Sequence, residues 1–299
     1  MKANHPSTAQ DYFAQVGHIR PGNRSNLVLL TGTEGAPDNY RVAFSEGIEG
    51  QEWSTPRHHH NFEQIRFILQ GEYQVTKTEK ISEGSIGYVS AGVHYGPQIQ
   101  SSGMKMLLLQ FGGMSREGYI SVRQRKESRE RLLAKGGTFE NGIYSRLEPD
   151  GTRYQADAFE AIWEETTGAE IAYPRPRYDN IVIMHPDNFG WVPVASSPGT
   201  WRKWLGTFTE GDIKIGFIRM SAGAELLFGE EPSVEVLYVS QGALTCPADD
   251  SGNATFKRQT ALATTADDSP EILVATEDAE LFYVKLPTFG PASTPLYQG

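Results

Sequence analysis

The chain has little cysteine, no long apolar run and no excess of positive charge. Cys246 is its one cysteine, so no disulfide framework can form within the chain, which fits a reducing compartment. No stretch approaches the roughly 18 apolar residues of a membrane span, and the first twenty residues hold no apolar run of signal-peptide length. The net charge of −10 argues against a nucleic-acid binder. We therefore expect a cytoplasmic protein that binds neither nucleic acid nor membranes.

Several common catalytic signatures are also missing from the sequence. It contains no glycine-rich phosphate loop, no Ser-His-Asp order and no zinc-finger spacing. The one locally basic segment, residues 123–131, is interrupted by Glu127 and Glu130. We interpret that segment as a solvated helix face.

Glycine and proline, by contrast, are frequent, with 31 and 17 residues. Short runs of β-forming residues end at Gly, Asn or Ser about every 8–12 residues, a spacing typical of sandwiches and barrels. These runs fill the chain up to residue 111 and return after residue 181. Between them, residues 121–134 and 157–166 favour helices, since the first lacks Pro and Gly and the second has helical apolar spacing. The sequence thus predicts an all-β protein with a short helical insert.

The segment around His58 and His60 carries the clearest chemistry. Residues two apart on a strand point to the same face, and Gln64 keeps the same parity. Two imidazoles and a carboxamide can therefore face one interior point, where a first-row divalent metal finds suitable donors. His59 and Glu63 have the opposite parity, and we expect them to face away.

A second segment supplies a further donor to the same point. Residues 84–95 run from a strand into a turn of small residues that delivers either His94 or Tyr95 onto the next strand. Arg66 shares the inward parity of Gln64, and its two N–H donors suit an anionic substrate such as a carboxylate or enolate. Gln98 and Gln110 lie on neighbouring strand candidates, from which they could orient a ligand.

These two segments resemble the paired motifs of the cupin family. The first motif matches at His58, His60 and Gly71, with Gln64 where the family usually has Glu. The second matches at Gly84 and Gly92, with Ser90 in place of Pro. Strict counting puts Tyr95 where the family's last His stands, whereas imidazole is the commoner ligand. We favour His94 as the fourth ligand and keep Tyr95 as the alternative.

The second half of the chain contains a weaker copy of this pattern. Residues 235–242, from Glu235 to Gly242, repeat the spacing of residues 64–71. Gly229 and Glu231 stand where His58 and His60 stand in the first half, so we expect the second barrel to lack the usual metal site and to act in packing.

The resemblance implies a bicupin, with two double-stranded β-helix barrels in one chain. The domains would be an N-terminal barrel at residues 1–115, a helical insert at 116–178 and a degenerate barrel at 179–299. A homodimer is consistent with that resemblance.

Two hypotheses for function follow. The first is an enzyme in which Fe(II), Mn(II), Ni(II) or Zn(II) sits on His58, His60, Gln64 and His94, with Arg66 and Tyr95 as catalytic candidates and a small oxygenated metabolite as substrate. The resemblance implies dioxygenase chemistry most often, with isomerases and lyases as alternatives. The second hypothesis is a binding or regulatory cupin without turnover.

Overall fold

The computed structural model describes residues 1–17, 23–112, 119–247 and 254–288. Within those ranges the chain forms two compact units, one of residues 10–183 and one of residues 1–9 with 184–299, here called the N-terminal and C-terminal units. In the described part of the chain, none of the helices is long and apolar enough to cross a membrane.

Antiparallel strands are the main regular structure among the described residues. In the first part of the chain these are β1 (Lys2–Asn4), β2 (Gln10–Asp11), β3 (Arg24–Thr31), β4 (Tyr40–Gly47), β5 (Trp53–Thr55), β6 (Glu63–Gln70), β7 (Glu72–Gln74), β8 (Lys80–Ser82), β9 (Ile86–Val89), β10 (Gln98–Gln100), β11 (Lys105–Phe111), β12 (Thr138–Glu140), β13 (Ile143–Leu147), β14 (Arg153–Asp157) and β15 (Val182–Met184).

The strands in the rest of the chain are antiparallel as well. They are β16 (Val192–Pro193), β17 (Thr200–Phe208), β18 (Ile213–Met220), β19 (Glu225–Phe228), β20 (Glu235–Gln241), β21 (Ala243–Cys246), β22 (Ala254–Lys257), β23 (Ala261–Thr264), β24 (Glu271–Ala275) and β25 (Ala279–Lys285). The described helices are α1 (Tyr12–Val16), α2 (Val122–Ala134) and α3 (Ala158–Thr167), with short 3-10 turns at Pro6–Thr8 and Pro186–Asn188.

The two units repeat one strand order. The N-terminal unit has a large sheet ordered β15-β9-β6-β11-β4-β3-β2 and a small sheet ordered β5-β10-β7-β8. The C-terminal unit has a large sheet ordered β1-β23-β20-β25-β18-β17-β16 and a small sheet ordered β19-β24-β21-β22. Strand for strand, β6 corresponds to β20 and β11 to β25. The prediction of an all-β chain with two barrels is confirmed.

Each pair of sheets shares an apolar core. In the N-terminal unit, Ile68 of the large sheet packs with Tyr73 and Ile81 of the small one. In the C-terminal unit, Leu237 and Leu281 pack with Leu226 and Leu273 in the same manner. Burying both inner faces at once provides most of the apolar contribution to stability for such a pair of sheets.

The repeat explains where the observed units differ from the predicted domain limits. Strand β1 pairs with β23 of the C-terminal sheet, in the place that β15 takes beside β9 in the N-terminal sheet. The barrels therefore each use an outer strand distant in sequence, which places residues 1–9 in the C-terminal unit and residues up to 183 in the N-terminal one. Of the predicted limits, residue 115 lies outside the described residues.

The segment between the barrels is both helical and β-structured. Ser121 caps α2 in a capping box with Gln124, and Asp157 caps α3. The sequence did not lead us to expect strands β12 to β14, which form a separate sheet. Their first hairpin turns at Asn141-Gly142, both with positive φ (50° and 84°), and Asn-Gly is the preferred dipeptide for that turn.

Candidate functional site

The N-terminal unit contains a partly open cavity of about 100 Å³, lined by strands of both its sheets and by residues of all three helices. A cavity of about 150 Å³ holds benzene, so this smaller space suits a ligand no larger than benzene. The charged and ionisable side chains that matter most in its lining are two histidines and four arginines: His58, His60, Arg24, Arg41, Arg66 and Arg125. No aspartate or glutamate among the described residues lines it.

His58 and Tyr95 form an isolated antiparallel bridge at the cavity wall. The His58 amide donates to the Tyr95 carbonyl at 2.9 Å, and the Tyr95 amide donates to the His58 carbonyl at 3.0 Å. Directly opposed residues of such a bridge point their side chains to one face. The two ring centroids are 4.6 Å apart, and both rings line the cavity.

His94, which we favoured as the fourth ligand, faces away from the cavity. It is exposed, its ring stacks on His59 with 4.0 Å between centroids, and His59 stacks in turn on Tyr173 at 3.7 Å. A shift of one residue along extended backbone reverses the face, so the bridge that brings Tyr95 inward turns His94 outward. The choice of His94 over Tyr95 was wrong on geometry. His59 lies outside the cavity lining, as parity predicted, and burial together with the adjacent His94 lowers its pKa.

His58 is held by a carbonyl at its other ring nitrogen. Its Nδ1 lies 2.7 Å from the Pro56 carbonyl oxygen, and because a carbonyl can only accept, Nδ1 carries the proton. In the neutral ring Nε2 is then the basic nitrogen. The His60 ring packs against His58, with 5.0 Å between centroids, and against Phe62 and Phe159.

Gln64, Gln110 and Arg41 form one row across three neighbouring strands. They lie directly opposite one another on β6, β11 and β4, so their side chains share the inner face. Gln110 Nε2 donates to Gln64 Oε1 at 3.2 Å, and Arg41 Nη2 donates to Gln110 Oε1 at 2.5 Å.

The Gln64 carboxamide has a fixed orientation. Its oxygen also accepts from Arg66 Nη2 at 2.9 Å, and its Nε2 donates to the Tyr95 hydroxyl at 2.5 Å. An arginine can only donate, so the end of Gln64 facing Arg66 must be the oxygen and the end facing Tyr95 must be the nitrogen.

Arg66 lines the cavity as predicted from its parity. Its guanidinium lies over the rings of Tyr95 and Tyr73, at 4.9 and 5.2 Å from their centroids. Gln98, in the orientation that satisfies its hydrogen bonds, accepts from Arg66 Nη2 at 2.9 Å and from the Tyr73 hydroxyl at 3.2 Å. The partners of this buried cation are thus neutral oxygens and aromatic faces.

The other three guanidinium groups also contact neutral partners. Arg24 Nη1 donates to Gln100 Oε1 at 3.3 Å, and Arg24 lies 3.8 Å above the Trp53 ring. Arg125 Nη1 donates to the Tyr12 hydroxyl at 3.4 Å, and Arg41 lies 4.3 Å above the same Tyr12 ring.

The effects of neighbouring charges on the pKa values of Arg24 and Tyr12 show that the electrostatic potential in the cavity is positive. Burial lowers the pKa of Arg24 to about 10, and the charges of Arg41 and Arg66 act in the same direction. Burial alone would raise the pKa of Tyr12, yet Arg125 and Arg41 outweigh that effect and hold it below its ordinary value. The lowered pKa of Tyr12, and the part of the Arg24 shift that comes from Arg41 and Arg66, indicate that the site favours negative charge.

The predicted metal donor set does not fit a divalent cation in this cavity. His94 is outside it, and the Gln64 oxygen is occupied by Arg66 and Gln110. At a bond length of about 2.1 Å, a metal on that oxygen would lie within about 5 Å of the Arg66 guanidinium. In the described part of the chain, no three His, Cys, Asp or Glu side chains lie together as a metal cluster. His58 and His60 remain as imidazole donors, with the Tyr95 hydroxyl beside them.

Sequence reasoning missed Arg24, Arg41 and Arg125. Arg41 had a usable signal in the sequence, since it is the one charged residue in the otherwise apolar run of residues 40–44. Arg125 belongs to the segment we interpreted as a solvated helix face, and that interpretation was wrong for this residue, which is buried. Gln98 and Gln110, considered as residues that could orient a ligand, both line the cavity.

The corresponding region of the C-terminal unit has different chemistry. Glu235, at the position equivalent to Gln64, accepts from the Tyr283 hydroxyl at 2.7 Å and from the Glu231 amide at 3.2 Å. Apolar side chains such as Leu226, Phe228 and Leu262 fill the space between its sheets.

Solved structures share this architecture at very low sequence identity. A putative dioxygenase from Nostoc punctiforme PCC 73102 is 12% identical with a TM-score of 0.57, covering 98% of this chain and 85% of that one. A putative glyoxylate-induced protein from Pseudomonas aeruginosa is 11% identical with a TM-score of 0.54, covering 91% and 84%. A point mutant of Bacillus subtilis oxalate decarboxylase is 11% identical with a TM-score of 0.51, covering 96% and 77%.

Comparison of the sequence with family models and with curated proteins finds no relative. No family model matches the chain, and no curated protein matches it. The likeness to solved structures therefore concerns the fold. Another structure of B. subtilis oxalate decarboxylase (TM-score 0.50, 11% identity) is described as having Mn(II) centres. The chain has the cupin fold and, with two barrels in one polypeptide, the bicupin architecture.

Proposed function

We propose that the N-terminal barrel binds a small oxygenated anion, such as a carboxylate, and acts on it as an enzyme. The observation that carries the proposal is the set of four guanidinium groups around a cavity without a described acidic side chain. Buried cations are costly unless an opposite charge compensates them, and a bound anion would supply that charge. A planar carboxylate also matches the paired N–H donors of arginine.

The proposed catalytic groups are His58 and Tyr95. The Pro56 carbonyl holds the His58 ring in the tautomer that leaves Nε2 basic, and such a nitrogen can accept a proton from a bound ligand. The Tyr95 hydroxyl, next to the His58 ring, can donate one.

Titration calorimetry with malonate as the probe tests the anion site. Arg66→Met removes charge-assisted hydrogen bonds worth about 1.5–3 kcal/mol, so malonate affinity should fall by about 10- to 100-fold. Arg123→Met is the matched control, because the Arg123 side chain is 63% exposed on the surface. Malonamide, a neutral analogue, should not bind. Equal malonate affinity in both variants would contradict the proposal.

A binding protein without turnover remains the alternative to an enzyme. Incubation with a panel of short carboxylates and 2-oxo acids, followed by NMR of the mixture, separates the two. Chemical change that His58→Gln abolishes supports the enzyme. Retained binding with unchanged ligands supports the binding protein.

Metal-dependent chemistry of the dioxygenase type is the second candidate. The Pro56 carbonyl on His58 Nδ1 favours it, because metal-bound histidines usually donate their other ring N–H in this way. The Mn(II) centres described for oxalate decarboxylase are consistent with a divalent metal in this fold. Oxygen consumption that depends on added Fe(II) or Mn(II) and disappears in His60→Ala would support this candidate.

A further inference from the structure

The Gln64 carboxamide presents the wrong group for a metal ligand. Its oxygen accepts from Arg66 and Gln110, and its N–H group points to the Tyr95 hydroxyl. A metal needs the oxygen. Turning the amide over would direct its N–H groups at the guanidinium of Arg66, two donors facing each other. Arg66 thus fixes the orientation that excludes Gln64 as a ligand.

Two of the guanidinium groups have buried N–H donors without a hydrogen-bond partner in the described part of the chain. Arg41 and Arg66 are each only 3% exposed. Arg41 Nε and Nη1 and Arg66 Nε have no hydrogen-bond partner among the described residues. Buried N–H groups of this kind are nearly always satisfied in folded proteins, and both arginines line the cavity.

The charge in the cavity also favours an anion over a divalent metal as the ligand. Cupin-like sites usually include a glutamate where this chain has Gln64, and here the lining contains four guanidinium groups instead. A divalent cation would add charge of the sign already in excess, whereas an anion would neutralise it.

From these contacts we infer that guanidinium groups, and not a divalent metal, compensate the charge of the anion in this pocket. The inference rests on the proposed anion-binding function and specifies how the anion is held. Arg41 on β4 and Arg66 on β6, the two strands on either side of β11, bind the anion. The Gln64–Gln110 pair holds both arginines in place. His58 and His60 then contact the ligand directly instead of binding a metal.

Metal analysis combined with malonate titration tests the inference on the full chain. Protein is produced in medium supplemented with Mn(II), Fe(II) and Zn(II), then analysed by mass spectrometry for metal content. We expect far less than one metal per chain. Malonate affinity should be the same within about twofold after treatment with a chelator and after addition of Mn(II).

A double variant provides the positive control for metal binding. Gln64→Glu with Arg66→Met restores a carboxylate and removes the adjacent cation, so this variant should gain Mn(II) binding and lose malonate binding. Gln64→Glu alone should not gain Mn(II) binding, because the introduced carboxylate would pair with Arg66.

The outcomes separate the two proposals. Stoichiometric metal in the wild type, or an affinity for malonate that drops by about tenfold on chelation, overturns the inference but leaves the anion site intact. Absence of malonate binding with and without metal overturns both. Malonate binding in metal-free protein that is lost in Arg41→Met supports both.

Discussion

His58 and Tyr95 exchange both backbone hydrogen bonds of a single antiparallel bridge. That exchange decides which residue of the turn at 92–95 enters the cavity. A second backbone hydrogen bond, from the Gly92 amide to the His60 carbonyl at 2.8 Å, fixes the start of the same turn. The inward residue is therefore set by backbone register rather than by the preference of a metal for imidazole.

Replacing Tyr95 should cost much more than replacing His94. Tyr95→Phe removes the hydroxyl that accepts from Gln64 Nε2, and a buried donor left without a partner costs about 1–3 kcal/mol. His94→Ala acts at an exposed ring and should cost less than about 1 kcal/mol. Urea unfolding measures both. If His94→Ala is the more destabilising, the observed register is wrong.

Strand parity predicted much of the site correctly. Counting by twos placed His58, His60, Gln64 and Arg66 on the inner face, where the structure has them. It could not decide between His94 and Tyr95, because the turn before them breaks the alternation. The bridge that resolves this choice joins two segments that are far apart in sequence, beyond the reach of a local pattern.

The arginine cluster shows a different limit of sequence reasoning. Arg24, Arg41 and Arg125 come from β3, β4 and α2, and only tertiary packing brings them together. A basic residue on a helix is usually solvated, and nothing local marked Arg125 as buried. The two-barrel fold was predictable because its signals, the repeated Gly71 and Gly242 spacing and the short strand runs, are local.

The paired glycines Gly71 and Gly242 should differ in their tolerance of alanine. Both follow equivalent strands, with φ of 79° and 77°, a conformation that costs an L-residue about 1–2 kcal/mol. A Cβ on Gly71 would find ordinary contacts at 3.6 Å from Met104, whereas one on Gly242 would lie 2.3 Å from the Asp278 carbonyl oxygen. Gly71→Ala should thus cost about 1–2 kcal/mol and Gly242→Ala more than that. Equal losses in urea unfolding would contradict the structure.

The stack of His59 on His94 and Tyr173 should make stability depend on pH. Burial, and then the charge of His94, lowers the pKa of His59 in the folded state. As pH falls below about 6.5, the unfolded chain takes up a proton that folded His59 resists, so the free energy of unfolding decreases. His59→Phe keeps a stacked ring and should reduce that decrease between about pH 7.5 and 5. An equal decrease in His59→Phe and in the wild type would contradict this account.

Anion binding should weaken as pH rises towards and through about 10. Burial lowers the pKa of Arg24 to about 10, so this cation loses its proton in that range and the cavity loses positive charge. Tyr12, whose pKa Arg125 and Arg41 lower against the effect of burial, gains negative charge at a lower pH than an ordinary tyrosine, with the same effect on an anion. Malonate titrations from about pH 8 to 10.5 in wild type, Arg24→Met and Tyr12→Phe measure the two contributions. Arg24→Met should bind malonate more weakly at the lower end of this pH range, and its affinity should fall less steeply as pH rises. Tyr12→Phe should lack only the part of the fall in affinity that occurs at lower pH. An affinity that rises with pH would mean that the ligand is not an anion held by these cations.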